Sequence, residues 1–233
     1  MRGTRTALWC LVGGLVLLLG NPVVSANLLY NPGMEIDGDS DMLPDGWVKA
    51  LYTEPNTGST AWAEMTNDPN EVHSGLWSEE LGVTGKGYAA IHQTVPAYPG
   101  VAYTLSAYIR YGGYWTINDH PNGPPGDRAF MKLEFYDADW NMLNNGSQTY
   151  NFYYWYTFLP REMTRIAPPG TVAVRAVLGM QHWGQPAPNA TTHWFQYDTA
   201  NLTPEPSSLV MLALVLCLRR SRKDEQAEGE NQG

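Results

Sequence analysis

Residues 101–111 read VAYTLSAYIRY. Apolar and polar side chains alternate along this run, and a period of two marks a strand with one face in a core and the other toward solvent. Runs of the same kind recur at Gly46–Tyr52, Thr60–Met65, Leu76–Val83, Gly87–Val95, Arg128–Tyr136, Tyr150–Leu159, Thr171–Met180 and Thr192–Leu202, with turn-forming clusters such as Asn118–Asp127 between them. No stretch keeps a helical period, and no internal repeat is found. Many short strands with turn signals between them predict an antiparallel sandwich or barrel. The Pro/Gly-rich stretch at 112–127 is long for a hairpin connection, which suits a functional loop.

Composition sets the bounds. The chain has 233 residues, 43% hydrophobic and 16% charged, as expected of a folded protein of one domain. Residues 27–203 hold 18 of the 23 acidic side chains and only eight of the 14 basic ones, a net charge of about −10. A duplex phosphate backbone needs a basic footprint, so nucleic acid is not an expected partner. Both cysteines, Cys10 and Cys217, lie in apolar terminal stretches. The middle therefore offers no disulfide, no thiolate zinc site and no cysteine nucleophile.

Both ends read as addresses. Arg2 and Arg5, the apolar run Leu8–Leu19 and the small residues Val24, Ser25 and Ala26 make residues 1–26 an expected signal peptide, with Asn27 opening the mature chain. An uncleaved anchor is the alternative, but the run is short of the roughly 20 residues a spanning helix needs. Near the other end stand Thr203-Pro204-Glu205-Pro206-Ser207-Ser208, then ten apolar residues (Leu209–Leu218), then Arg219, Arg220, Arg222 and Lys223. This order resembles the PEP-CTERM sorting signal that bacteria process with an exosortase. Two departures are visible: the apolar run is short, and an acidic tail, 224–233, follows it. The resemblance implies a sorting signal over 204–223 (Pro204, Glu205, Pro206, then a short apolar helix and the Arg219–Arg220 cluster). It also implies export, contact with export machinery and an exosortase, transient anchoring in the inner membrane, and display at the cell surface or in extracellular matrix. A plain transmembrane tail is the other reading, and both leave the basic cluster in the cytoplasm.

One run carries rings on both faces. In Tyr150–Phe158, Tyr150, Phe152, Tyr154, Tyr156 and Phe158 share one side of a strand, and Asn151, Tyr153, Trp155 and Thr157 the other. Exposed flat rings suit the apolar faces of sugars; packing beneath the 112–127 loop is the competing reading.

From end to end, residues 27–203 resemble the carbohydrate-binding modules of families 4 and 9. The matching text is NLLYNPGMEIDG followed by DGW, then VHSGLWSEEL, HQTVPAYPGVAYTLSAYIRY, APPGTVAVRAVL and HWFQYDTANL, in that order. Met34 stands where the family usually has Phe, and Thr199 where a second Asp is common. The resemblance implies an all-β, antiparallel jelly-roll sandwich of the galactose-binding-domain type, here with apolar helical segments at both termini. It also implies a structural Ca²⁺ where the first and last strands meet. Glu35 and Asp198 are the expected ligands, with carbonyls near Gly33 and Ser74 and the side chain of Glu71 completing the shell. Two carboxylates brought together repel unless neutralised, and hard oxygen donors favour calcium; the alternative is that Asp198 caps a turn or pairs with a base. The acidic run EIDGDSDMLPDG fails the EF-hand template, because Gly38 follows Glu35 by three residues and no helix flanks it.

Catalytic constellations are missing from the sequence. His73, His92, His120, His182 and His193 show no HExxH spacing, no serine sits in a GxSxG elbow, and nothing pairs Glu134, Asp137, Asp139 or Glu162 as a glycosidase would. The expectation is an exported, non-catalytic protein that binds a poly- or oligosaccharide on rings among Trp62, Tyr111, Trp115, Trp155 and Trp183. A structural or adhesive matrix protein without a sugar site is the alternative, and a hydrolase a more distant one.

Overall fold

The computed structural model describes residues 26–112, 128–150, 157–183 and 192–205. Ten strands follow in chain order: β1 Val48–Thr53, β2 Thr60–Thr66, β3 Ser78–Thr84, β4 Gly87–Pro96, β5 Ala102–Tyr111, β6 Arg128–Tyr136, β7 Met142–Tyr150, β8 Leu159–Ile166, β9 Ala173–His182 and β10 Thr192–Pro204. They form two five-stranded sheets, the first in the order β1-β4-β9-β6-β7 and the second in the order β2-β3-β10-β5-β8. Among the described residues there is no helix, and the sequence expectation of an all-β antiparallel sandwich holds. The apolar segments expected to be helical at the termini lie outside the described residues.

Alternation builds the core. Ile91 of β4, Met131 and Leu133 of β6 and Leu178 of β9 point inward from the first sheet, and Leu81, Leu105, Ile109 and Phe195 from the second; all are buried. Tyr103 of β5 meets Phe135 of β6 across the gap, their centroids 6.2 Å apart. The Tyr197 hydroxyl crosses from β10 to donate to the Gly179 carbonyl at 2.5 Å. The segment before β1 runs beside β10, where Leu28 N–H donates to the Leu202 carbonyl (2.9 Å) and Ala200 N–H to that of Pro32 (2.7 Å).

Most of the aromatic run 150–158 lies outside the described residues (151–156); of the rest, Tyr150 closes β7, and Thr157 and Phe158 precede β8, which begins at Leu159. Both strands that the pattern missed are sheet edges. MLNNGSQTY carries no apolar alternation and reads as a loop although it pairs with β6 from Ala129↔Tyr150 to Glu134↔Asn145 and beyond; an edge strand can do without alternation because it pairs on one side only, though the other two edges, β1 and β2, keep it. Pro160 in β8 is tolerated for the same reason.

A carboxylate stands inside the sandwich. Glu79 of β3 lies in register between Met65 and Tyr197, is fully buried, and neither of its oxygens accepts a hydrogen bond from a described residue. Burial, opposed by the Lys49 charge, raises its carboxyl well above the usual range. The folded state thus favours the protonated form: its stability contribution is complete below the ordinary carboxylate range and is lost as pH rises toward the folded-state value. Glu79→Met should therefore raise stability at pH 7 by about 1–3 kcal/mol, the cost of a buried unsatisfied polar group. Thermal melts at pH 7 and pH 4.5 check this, with the gain expected to shrink at the lower pH.

Candidate functional site

The outward face of the first sheet is not the solvated surface that alternation predicts. Tyr88, Ala90 and His92 of β4, Val177 of β9, and Phe130, Lys132, Glu134 and Tyr136 of β6 share it by register, yet Ala90 and Val177 are buried and Phe130 is only 3% exposed. These three form an apolar cluster apart from the inter-sheet core, with Tyr88 packed against it. Above them lies a groove of about 180 Å³, walled by Ala50, His92, Lys132, Glu134 and Arg175 as well. Its floor depends on Gly179, which faces Ala90 on one side and Phe130 on the other. A Cβ there would strike the Phe130 ring, so the glycine lets that ring lie down across the strand.

Polar groups occupy one side of the groove. Glu134 is buried and accepts a hydrogen bond from the Tyr136 hydroxyl at 2.8 Å, and an Arg175 nitrogen stands 3.5 Å from the same carboxylate oxygen. Arg175 also lies over the Tyr136 ring at 4.7 Å and donates to Thr94 Oγ1 at 3.3 Å. Burial and the neighbouring Glu134 push the Tyr136 phenol up to about 12. Burial and the nearby Arg175 lower the pKa of His92, which leaves it neutral at pH 7. The Lys132 ammonium sits over the Phe130 ring at 4.7 Å.

Exposed rings stand at both ends. At one, Tyr52 of β1 stacks on Tyr88 (centroids 5.6 Å apart, 17° between planes) and leans against Trp183 at 6.0 Å; Trp183 is 48% exposed. At the other, Trp140 is 61% exposed and lies 5.8 Å from Tyr136. Its turn is fixed by Asp137, whose Oδ1 accepts from the N–H groups of Asp139 and Asn141, both at 2.9 Å. The Asn141 side-chain amide, which donates to Asp137 Oδ2 at 3.1 Å, together with these N–H groups holds the Asp137 carboxyl below its usual pKa.

Of the rings expected from sequence, Trp183 alone among the described residues stands near this groove, beyond its lining and against Tyr52 at one end. Trp62 lies on the outward face of the second sheet, laid over Gly82, with its indole N–H donating to Glu80 Oε1 at 2.8 Å. Tyr111 is a correction: it is 7% exposed and set edge-on to Phe195, because its parity in β5 is that of Leu105 and Ile109. Trp115 and Trp155 lie outside the described residues. Sequence reading passed over Tyr52, Tyr88, Phe130, Tyr136 and Trp140. The signal for three positions was present in RAFMKLEFY, where Phe130, Lys132 and Tyr136 alternate with Met131, Leu133 and Phe135.

Glu35, Ser74 and Asp198 do converge, on the turn at 73–77. Asp198 Oδ2 accepts from the N–H groups of His73 and Ser74, both at 2.9 Å, and its Oδ1 from the Thr199 hydroxyl at 3.0 Å. Glu35 accepts the Leu76 N–H with both oxygens, at 3.1 and 3.0 Å. Ser74 is hydrogen-bonded to Thr199 through its hydroxyl (2.8 Å). Glu71 turns to Arg110 at 3.6 Å and to the Thr66 hydroxyl, and Gly33 contributes to the bend before Glu35. Backbone N–H groups and the Thr199 hydroxyl already take lone pairs of both carboxylates that a calcium ion would use. Burial raises the Asp198 pKa against the hydrogen bonds that lower it. The trio of carboxylates that lie within 4.8 Å of one another among the described residues is Asp37, Asp39 and Asp45, and Asp37 and Asp45 accept N–H groups of their own loop.

No family model and no curated protein matches the chain. Among solved structures it is similar to the enzymatically active domain of tailspike protein 4 of bacteriophage CBA120 (TM-score 0.53, 14% identity, 77% of this chain and 21% of that one). A cyclase from Fischerella sp. TAU matches at TM-score 0.53 and 19% identity, over 79% of this chain and 98% of that one. The carbohydrate-binding module TmCBM61, solved with β-1,4-galactotriose, matches at TM-score 0.49 and 15% identity, over 78% and 100%. The chain spans about a fifth of the tailspike domain's length. At these identities the likeness is one of fold.

Two measurements test the corner and the corrected ring. A calcium chelator should leave the melting temperature unchanged, while Asp198→Ala should cost about 1.5–3 kcal/mol through lost hydrogen bonds to a charged group. Tyr111→Ala should destabilise by about 3–5 kcal/mol, as truncation of a core ring does.

Proposed function

We propose that this is a non-catalytic carbohydrate-binding protein that takes an oligo- or polysaccharide along the outward face of the first sheet. The observation that carries the reading is the groove itself, with an apolar floor, polar side chains along its wall, and exposed rings at both ends. Sugar rings have apolar faces that stack on flat aromatics and hydroxyls that need hydrogen-bond partners, and such sites combine apolar walls with a few placed polar groups. Glu134, held between Arg175 and Tyr136, is an acceptor fixed in place for a hydroxyl. Among the described residues no second carboxylate lines the groove, whereas glycoside hydrolysis requires two.

Export belongs to the same proposal and rests on the terminal sequences alone. Residues 1–26 act as signal peptide and 204–223 as an exosortase-processed sorting signal, which would place the protein at the cell surface or in its matrix. Pro204 itself closes β10 and Glu205 follows it, while Pro206, Arg219 and Arg220 lie outside the described residues. Intact-mass measurement of surface-extracted protein should show the chain ending near Pro206; a retained Arg219–Lys223 cluster would indicate a plain anchor.

Trp183→Ala, Tyr52→Ala and Trp140→Ala should each weaken retention on the bound polysaccharide by about 1–3 kcal/mol, the range for anchoring aromatics. Melting temperature should barely move, since these rings are exposed. β-Glucan, xylan and acidic exopolysaccharide columns provide the assay. Retention that survives all three substitutions would remove the groove as the binding site, and failure on every column would favour a structural matrix role.

A further inference from the structure

The eight basic residues of 27–203 are not spread evenly. Arg128, Lys132 and Arg175 share the outward face of the first sheet by register, Arg128 opposite Gln181, Lys132 opposite Val177 and Arg175 opposite Glu134. Among the described residues of that face the one carboxylate is Glu134, and Arg175 already stands against it. A face with three cations and one anion is out of keeping with a segment whose net charge is about −10.

Among the described residues that line the groove, Lys132 is the uncommitted charge. Its side chain is half-buried in the groove wall, and among the described residues its ammonium forms neither an ion pair nor a hydrogen bond; its single polar contact is the face of Phe130. A ring face attracts an ammonium without using its three N–H donors, so the donors remain available. Withdrawing a lysine from water without a counter-ion is costly, and an anionic group arriving in the groove would recover that cost. Arg128 lies four residues along the same strand, about 13 Å away at 3.3 Å per residue, so a repeating anionic chain would meet a second cation.

We infer that the groove selects an anionic saccharide, with a carboxylate or sulfate of the sugar meeting the Lys132 ammonium. This rests on the groove being the sugar site and adds the ligand's charge class. The overall negative charge of the protein repels polyanions, which makes non-specific retention on an acidic polysaccharide a poor explanation for binding.

The test compares polygalacturonate with its methyl ester, which keeps the backbone and removes the charge, using the full chain in affinity electrophoresis. Dextran sulfate provides the sulfate arm and xylan the neutral reference. Wild type should favour polygalacturonate over the ester by roughly tenfold, or dextran sulfate over xylan if sulfate is the anion, as a hydrogen bond to a charged group allows. Lys132→Met, which keeps the stem over Phe130, should abolish that preference, Lys132→Arg should keep it, and raised salt should weaken it. Equal retention of charged and neutral forms, or a preference that survives Lys132→Met, overturns this inference and leaves saccharide binding standing. No retention on any of the four overturns both.

Discussion

The absence of a side chain at Gly179 governs the outward face of the first sheet. It lies in β9, the middle strand, with its carbonyl taken from the inner side by the Tyr197 hydroxyl and its outer side covered by the Phe130 ring. With a Cβ in that position Phe130 would have to stand up into the groove, and the space above Ala90 and Val177 would close. The Lys132 ammonium rests on the same ring, so the placement of the charge also follows from the glycine. A single missing methyl thus fixes the depth of the groove, its floor and one of its cations.

The second sheet uses the same device on its outward side. Trp62 lies over Gly82, and Trp194 lies against Gly112. Beside them runs a polar chain in which Glu80 accepts from Trp62 at 2.8 Å and from Gln196 at 3.3 Å, and Arg110 donates to Gln196 at 3.0 Å. Arg110 then reaches Glu71 at 3.6 Å. Gln196 and Arg110 are buried although their parity is outward, because the loop carrying Glu71 covers them. The Trp62 end of this face is therefore packed, whereas a groove of about 430 Å³ opens farther along it, between β5 and β8, lined by Ser106, Tyr108, Pro160, Glu162 and Thr199.

What the sequence disclosed follows from what alternation reports. Runs such as 101–111 and 128–136 show their period because one side of each strand is core, so the sandwich and eight of its strands were legible within a few residues. Strands β7 and β8 were not, because MLNNGSQTY carries no apolar alternation and Pro160 interrupts the pattern of β8, whereas the other two edges, β1 and β2, keep theirs. The aromatic richness of the chain was visible, but richness does not say which side of a sheet a ring takes. Tyr111 was assigned to binding although its own parity with Leu105 and Ile109 sends it inward, while Phe130, with outward parity, was passed over. Glu35 and Asp198 are both tied to the turn at 73–77 by its N–H groups, and Gly75, at φ 75° with no room for a Cβ beside Glu35, is the residue type that marks that turn.

The position of β10 has a mechanical meaning. It is the middle strand of the second sheet, flanked by β3 and β5, and the chain leaves it at Pro204. A pull on the polypeptide beyond that point runs along the strand, so the ladders on both sides are loaded in shear and must yield together instead of opening bond by bond from an edge. The opening segment adds its own ties to β10 through Leu28 and Asn27. Tension entering through Pro204 would therefore pass into β3 and β5 together before it reached either edge of that sheet.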